Sequence, residues 1–417
     1  MPRFKKHFLI ILGLSIFLVC RCQKSDYLWL AGYDSQVGYD SSWGFYFGTS
    51  VVDFNYTPAN VFYDSLKLNF DNTDISFSDE MGELIFYSNG ITVHNGLGET
   101  ITNGDSLGVG YVQLEFFPDI MLHGNRIPQG MLALPYPARN NSYILVYSFY
   151  DTLPSFSIYC RRTLAAELDM SGMQGHGVVQ GKDLILLEDV LAGDLTAVKH
   201  ANGRDWWLLV NKRNTNCFYK ILVDASGPHS LSGTQCLGSN IQYNTIGASC
   251  FSPDGSKYIY QSLSDGVNIY DFDRCNGILS NSTFLPIPNT ADSGWLGTGV
   301  SVSPNGRFLY VCLTKYVYQY DLWASDIPGS LEIVAIYDGY KSPLGSYFNT
   351  SQVGPDGKIY ISCGNSETVL HVINKPDEKG AACDFHQHSV QLPSPVISVP
   401  NFPNYRLGPI LGSSCDT

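Results

Sequence analysis

Three nine-residue segments of this 417-residue chain follow one pattern at one interval, and few architectures satisfy such a repeat. Ser252–Tyr260 is S-P-D-G-S-K-Y-I-Y, Ser303–Val311 is S-P-N-G-R-F-L-Y-V, and Gly354–Ser362 is G-P-D-G-K-I-Y-I-S. Their glycines, Gly255, Gly306 and Gly357, are 51 residues apart. Gly203, in H-A-N-G-R-D-W-W-L-L-V, lies 52 residues before the first, and looser copies surround Asn141 and Gly82. Asp-Gly and Asn-Gly turn a chain because both residues accept a positive φ. After each turn comes a β-branched and aromatic run, such as Tyr258–Tyr260 or Phe308–Cys312, that reads as a strand. Further strands are expected at Val267–Phe272, Val317–Leu322 and Thr368–Ile373, and again at Thr283–Ile287, Leu331–Ile336 and Ser389–Leu392. With the segments before the turns (Ile246–Phe251, Gly299–Val302, Ser351–Val353), each unit has four strands. A period near 50 built of four strands predicts an all-β fold, a β-propeller.

Six turns are visible, and closure of the ring calls for a seventh blade, with six or eight as the alternatives. Val52-Asp53-Phe54 matches Tyr270-Asp271-Phe272 of a third strand, so the N-terminal segment supplies late strands of a blade. The run Pro395–Pro400 is expected to supply its first strand. Pairing of N- and C-terminal strands would then close seven four-stranded blades and hide the edges of an open ring. The S-P-D-G turn with its strand resembles the repeats of the WD40-like, TolB-type and YVTN-type propeller superfamily. From about Tyr27 onward the chain is also similar to a group of exported propeller proteins of Bacteroidota. The residues that carry this are N-G-R-D-W-W (Asn202–Trp207), D-F-D-R-C (Asp271–Cys275) and P-N-F-P-N-Y-R-L-G-P (Pro400–Pro409). The resemblance implies the fold and no particular activity, since propellers serve as enzymes, binders and scaffolds alike.

Residues 1–22 read as a signal peptide and residues 23–417 as one propeller domain. Arg3, Lys5 and Lys6 precede the apolar run Phe8–Cys20, which is too short to span a bilayer comfortably and the right length for a signal core. Cys20 and Cys22 fit a cleavage site that leaves Gln23 as the N-terminus; acylation at Cys20 or Cys22, as in a lipoprotein, ranks second. No later segment is apolar enough to cross a membrane, so the expected location is extracellular, cell-surface or periplasmic. Nine cysteines remain, and in an oxidising compartment some should pair. Cys217 and Cys236 flank a predicted hairpin and are the favoured disulfide. Cys312 and Cys363 hold equivalent repeat positions, which argues for two similar buried thiols.

Composition narrows the partners. Charged residues make up 15% of the chain, against roughly 25% in an average soluble domain. Aromatics reach 13%, and 25 basic against 38 acidic side chains give a net charge of −13. Loss of residues 1–22 would deepen that to −17. A nucleic acid would be repelled by this balance. No cofactor signature is present, and the expected state is a monomer.

Sites of chemistry are sparse. Asp254, Asn305 and Asp356 sit in the Pro-x-Gly turns, where a short polar side chain ordinarily bonds its own backbone. His386 and His388 would share one face of a strand, but a metal site usually needs three or four ligands, so no metal is expected. Lys199, His200, Arg204 and Asp205 crowd one turn and read as a polar loop. The loops joining one blade to the next are more promising, since ligands commonly bind where a propeller channel opens. They hold Tyr243, Trp295, Tyr340, Tyr347 and Phe348, and the long stretch Asn95–Gln129 with Phe116, Phe117, Met121 and Leu122. Exposed rings suit sugars or extended peptides, although the same rings would also serve to plug a channel mouth. The sequence therefore reads as an exported recognition scaffold for a protein or glycan. The alternative is a hydrolase or lyase at the channel mouth, working with His200, His123 or a buried acid.

Overall fold

Each of the six repeat positions expected to turn the chain does so in the left-handed region. Gly82, Asn141, Gly203, Gly255, Gly306 and Gly357 have φ of 88°, 53°, 72°, 72°, 78° and 79°. Glycine enters that region without a Cβ clash and asparagine at small cost. The neighbouring polar residues brace the turns as their chemistry dictates: Ser252 Oγ donates to Asp254 Oδ1 at 2.6 Å, and the Ser256 N–H donates to the same oxygen at 3.0 Å. The turns therefore belong to the scaffold.

The structure, a computed structural model, describes residues 23–34, 37–116, 123–152, 158–241, 247–262, 265–287 and 298–415. It is a ring of seven blades, each an antiparallel sheet laid down in chain order. The first contains β1 (Leu28–Ala31), a small hairpin of β2 (Tyr39–Asp40) and β3 (Phe45–Tyr46), then β4 (Thr49–Asp53) and β5 (Asn60–Asp64). The second has β6 (Ile75–Ser78), β7 (Leu84–Ser88) and β8 (Val93–Asn95), extended by a bridge between His94 and Thr100. The third has β9 (Met131–Pro135), β10 (Ser142–Thr152), β11 (Ile158–Asp169) and β12 (Val178–Leu191). The fourth has β13 (Thr196–Lys199), β14 (Trp206–Asn211), β15 (Cys217–Asp224) and β16 (Gly227–Ser230), with β17 (Gln235–Cys236) also on β15. The fifth has β18 (Gly247–Phe251), β19 (Lys257–Ser262), β20 (Gly266–Asp273) and β21 (Ile278–Pro286). The sixth has β22 (Thr298–Val302), β23 (Phe308–Leu313), β24 (Tyr316–Asp321) and β25 (Glu332–Ile336). The last has β26 (Phe348–Val353), β27 (Ile359–Cys363), β28 (Glu367–Ile373) and β29 (Phe385–Val396).

Burial on both faces explains why the central strands are apolar throughout. Along β23, Phe308, Tyr310 and Cys312 pack toward the seventh blade with Phe348, Ile359 and Ile361. Leu309, Val311 and Leu313, one register position away, pack toward the fifth with Ile259, Val267 and Ile269. Alternation thus serves two cores, not a core and solvent. Cys217 and Cys236 are bonded across the β15–β17 pair, as expected, and a second bond joins Cys275 to Cys415. Cys312 and Cys363 are both free and 0% exposed, matching the reading of paired repeat positions.

The ring closes between the chain ends, with one difference from expectation. Ser50 Oγ on β4 donates to the Ser394 carbonyl at 2.9 Å and accepts from the Ser394 N–H at 3.0 Å, joining the first and last blades. Val396, however, is paired with Glu367 inside the last blade, and the residues after it form no ladder with β1. Pro400 and Pro403 lack the N–H groups a ladder strand needs. The segment that was to become a first strand descends the channel as irregular backbone instead.

Candidate functional site

Strand direction gives the ring two ends. The S-P-D-G turns define one, the turn face; the connections between blades define the other, the loop face. Of the five residues proposed for ligand contact, Tyr243 and Trp295 lie outside the described residues, as do Phe117, Met121 and Leu122. Phe348, the first residue of β26, is 0% exposed and packs edge-on against His371 and Phe385 at 4.8 and 5.6 Å. Its ring faces the gap between blades, so no face is left for a ligand. Tyr347 is half-buried on Tyr337 at 4.7 Å. Tyr340 is half-buried and stacks on His388 at 4.1 Å, and His388 Nε2 lies 2.9 Å from Asp338. In the long stretch, α1 (Tyr111–Phe116) leaves Tyr111, Leu114 and Phe116 exposed, while Ile101, Leu107 and Ile127 are buried.

Under the Tyr340–Tyr347 loop lies a carboxyl with an incomplete set of partners. Glu367 is buried, its Oε2 accepts from the Ser342 N–H at 3.0 Å, and Oε1 has no partner among the described residues. Burial pushes this carboxyl up to about 7. A glutamate in the unfolded chain titrates near ~4.3, so ionisation increasingly penalises the native state as pH rises from about 4 through 7. Glu367→Gln is expected to be near neutral at pH ~4 and stabilising by on the order of 2 kcal/mol at pH ~8, checked by urea melts at both.

The histidines considered for chemistry are engaged elsewhere. His200 Nδ1 accepts from the Asn202 N–H at 3.1 Å and Nε2 lies 3.0 Å from the Cys275 carbonyl. Nδ1 of His123 is 3.4 Å from Asp34. His386 binds Asp384 at 2.9 Å, while His388, with φ of 41°, leaves the strand alternation and turns to Asp338. Among the described residues, no three His, Cys, Asp or Glu side chains converge as a metal site.

The site that the structure builds is in the channel. After β29 the chain enters from the loop face: the Asn349 amide donates to the Ile397 carbonyl at 3.3 Å, and Ser398 Oγ to Asp74 at 3.2 Å. Asn401 Nδ2 then donates to the carbonyls of Leu195 and Met131 at 2.9 and 3.3 Å, tying the strap to β9 and to the residue just before β13. Tyr405 OH reaches the Ala133 carbonyl at 2.8 Å. Arg406 emerges on the turn face and pairs with Asp26 through both guanidinium nitrogens. Beyond it, Arg274 donates to the Gly408 carbonyl at 2.6 Å, and the Cys275–Cys415 bond anchors the end. The tail is a strap threaded through the ring, with Phe402 and Tyr405 buried in the largest core cluster.

The strap fills one side of the channel and leaves a cavity of about 300 Å³ on the other, open toward the turn face. Inner strands β18, β22 and β26 form its wall, with Pro253, Pro304 and Pro355 at the rim and Asn401, Phe402 and Asn404 opposite. Gln129 caps its inner end: its amide donates to the Ser249 carbonyl at 3.0 Å and accepts from the Ser249 N–H at 2.8 Å. Above Gln129 a remnant of about 10 Å³ has room for about one water. The charged side chains lining the larger cavity are Asp26 and Arg406, which neutralise one another. Its thiol, Cys250, is pushed up to about 12 by burial and is therefore un-ionised at neutral pH. Two carboxyls buried near the channel, Asp74 and Asp194, are likewise raised by burial, Asp194 to about 6.

No family model matches the sequence, and no curated protein matches it. Among solved structures, a 6-phosphogluconolactonase-like protein from Bacteroides uniformis superposes with a TM-score of 0.54 over 90% of this chain and 99% of its own, at 14% identity. The periplasmic gluconolactonase PpgL of Pseudomonas aeruginosa gives 0.47 over 88% and 97%, also at 14% identity. A second 6-phosphogluconolactonase-like protein, from Bacteroides fragilis, gives 0.47 over 90% and 97% at 13%. At these identities the first match establishes the propeller ring alone.

Sequence reasoning pointed to the loop face and missed the cavity. Its strap is the run Pro400–Pro409, already conspicuous for aromatic and amide residues between prolines. A signal was present in that spacing: a proline-broken aromatic run after the last blade strand has no sheet to join.

Proposed function

We propose that the protein is an exported recognition module whose turn-face cavity takes a small hydroxyl-rich ligand, a sugar unit or the end of a glycan. The observation that carries this is the lining. Ser301 and Ser351, whose hydroxyls bond each other at 2.8 Å, and Gln352 and Asn404 line it with hydroxyl and amide groups, while Pro253, Pro304 and Phe402 offer apolar faces. Few precisely placed polar groups on an apolar frame is the usual design of small-molecule sites, and this volume lies at the small end of their range. Acid–base catalysis needs a titratable group free to exchange a proton beside the reacting atoms. Asp26 and Arg406 are spent on each other, which favours binding over turnover. The two disulfides support the exported location.

A hydrolase or lyase at the same mouth is the competing reading, supported weakly by the lactonase names among the structural neighbours. Calorimetry of residues 23–417 with a panel of mono- and oligosaccharides, alongside a gluconolactone hydrolysis assay, separates the two. Asn404 is exposed at the rim, with its amide on the Pro253 carbonyl at 2.8 Å. Asn404→Trp should narrow the mouth and weaken sugar binding at least about tenfold, with an unchanged melting temperature. Lactone turnover by the wild type, lost in this variant, would replace the binding reading by the enzymatic one.

A further inference from the structure

The exposed aromatic residues of the described chain are unevenly placed. Tyr39, Trp43, Tyr46 and Tyr63, exposed by 55, 50, 54 and 38%, all belong to the first blade and its small hairpin. The hairpin leaves β1 at its loop-face end, far from the cavity. Tyr39 and Tyr46 are cross-strand partners, so their rings share one face at 5.0 Å, and Tyr46 meets Tyr63 of β5 at 5.8 Å. The three rings form a row. Trp43 stands at the hairpin tip, beside Phe45 at 6.3 Å.

This row is held from behind and is stiff. Asp40 Oδ1 accepts from both the N–H and the hydroxyl of Ser42, at 2.8 and 2.6 Å, and the Gly44 N–H closes the turn on the Asp40 carbonyl at 2.8 Å. Gly44 has φ of 78°, a turn conformation that suits glycine. Phe45, Phe47 and Tyr33 form a half-buried second layer at 5.1 and 5.7 Å. Folding alone gives no reason to hold large rings rigid in water, because burying them would be favourable. Preorganised rings lower the entropic cost of binding a partner.

Charge selects the partner. Asp34, Asp40 and Asp64 lie toward the hairpin end of this blade, Asp26 and Asp53 lie at its turn-face end, and residues 25–66 contain not one lysine, arginine or histidine. An anionic polymer or an anionic lipid surface would meet repulsion there, and membrane-surface segments are rich in the basic residues this stretch lacks. Asp40, beside Tyr39, is committed through Oδ1 to Ser42, and the Tyr63 hydroxyl donates to the Phe47 carbonyl, so the surface offers ring faces and the phenols of Tyr39 and Tyr46. Ring faces take the C–H faces of sugars, and phenols bond their hydroxyls. We infer that the Tyr39–Tyr46–Tyr63 row is a docking platform for a neutral glycan chain, separate from the turn-face cavity and independent of whether that cavity binds sugar.

Affinity electrophoresis of residues 23–417 in gels containing hydroxyethylcellulose, xylan or galactomannan tests this, with alginate gels and phosphatidylglycerol vesicles as the other arms. Retardation by at least one neutral polysaccharide is expected, lost at least about tenfold in Tyr39→Ala/Tyr46→Ala and retained in Asn404→Trp. Should the double variant melt at a lower temperature, Trp43→Ala and Tyr46→Gln, each at an exposed position, replace it as the decisive pair. No retardation in any neutral gel, retardation that survives these substitutions, or capture by alginate or vesicles instead would overturn the inference.

Discussion

Replacing Tyr405 by alanine is expected to destabilise the protein by about 4 kcal/mol, the scale of deleting a large buried aromatic. Tyr405 is 2% exposed and sits where three blades meet the strap. Its ring touches Phe77 of β6 at 5.2 Å and Trp206 of β14 at 6.0 Å, and its hydroxyl bonds the Ala133 carbonyl of β9. Collapse into the resulting void is hindered, because each neighbour is fixed in its own sheet. Tyr405→Phe keeps the ring and loses one buried hydrogen bond, at a cost of about 1 kcal/mol. Urea denaturation of the two variants checks the ratio. A cost below ~1 kcal/mol for alanine would mean that the strap lies in the channel without holding the blades, contrary to the packing described.

The parts of this fold that local chemistry dictates were legible. Gly255, Gly306 and Gly357 announced their turns because a positive φ is a property of single residues. Phe308–Leu313 announced a strand because a blade buried on both faces demands an unbroken apolar run. The Cys217–Cys236 bond followed from a short hairpin. What escaped were features set by contacts across hundreds of residues. Nothing near Asn401 in sequence reveals that its amide will meet Leu195 and Met131 inside the ring. Gln129 ends a long connection whose sequence carries no strand signal, yet its amide completes β18 like a missing strand partner. Phe348 reads as a loop residue because strand boundaries are uncertain by a few positions, and one register step decides whether a ring faces solvent or core. The tyrosine row was missed for another reason. It sits on a hairpin inserted within the first blade, outside the connections between blades that the repeat makes visible.

The largest expected effect belongs to the bond that anchors the strap. Cys275 and Cys415 are 140 residues apart in sequence, and closing a loop of that length removes much of the freedom of the unfolded chain. The chain-entropy relation assigns it roughly 5 kcal/mol, against about 3 kcal/mol for Cys217–Cys236 with its separation of 19. Cys275→Ser/Cys415→Ser should therefore cost more than Cys217→Ser/Cys236→Ser, as measured by urea denaturation without reductant. In the native state the strap should stay seated after the longer bond is removed, because Asn401, Tyr405 and Arg406 are held by their own hydrogen bonds well before the chain reaches residue 415. The stability loss would then be an unfolded-state effect, and ligand capture at the turn-face cavity should change little. The opposite ordering would carry a specific meaning. A loss no larger than that of the short bond would show that the tail already lies near the fifth blade in the unfolded ensemble, so that the bond closes a far shorter effective loop than its sequence separation suggests.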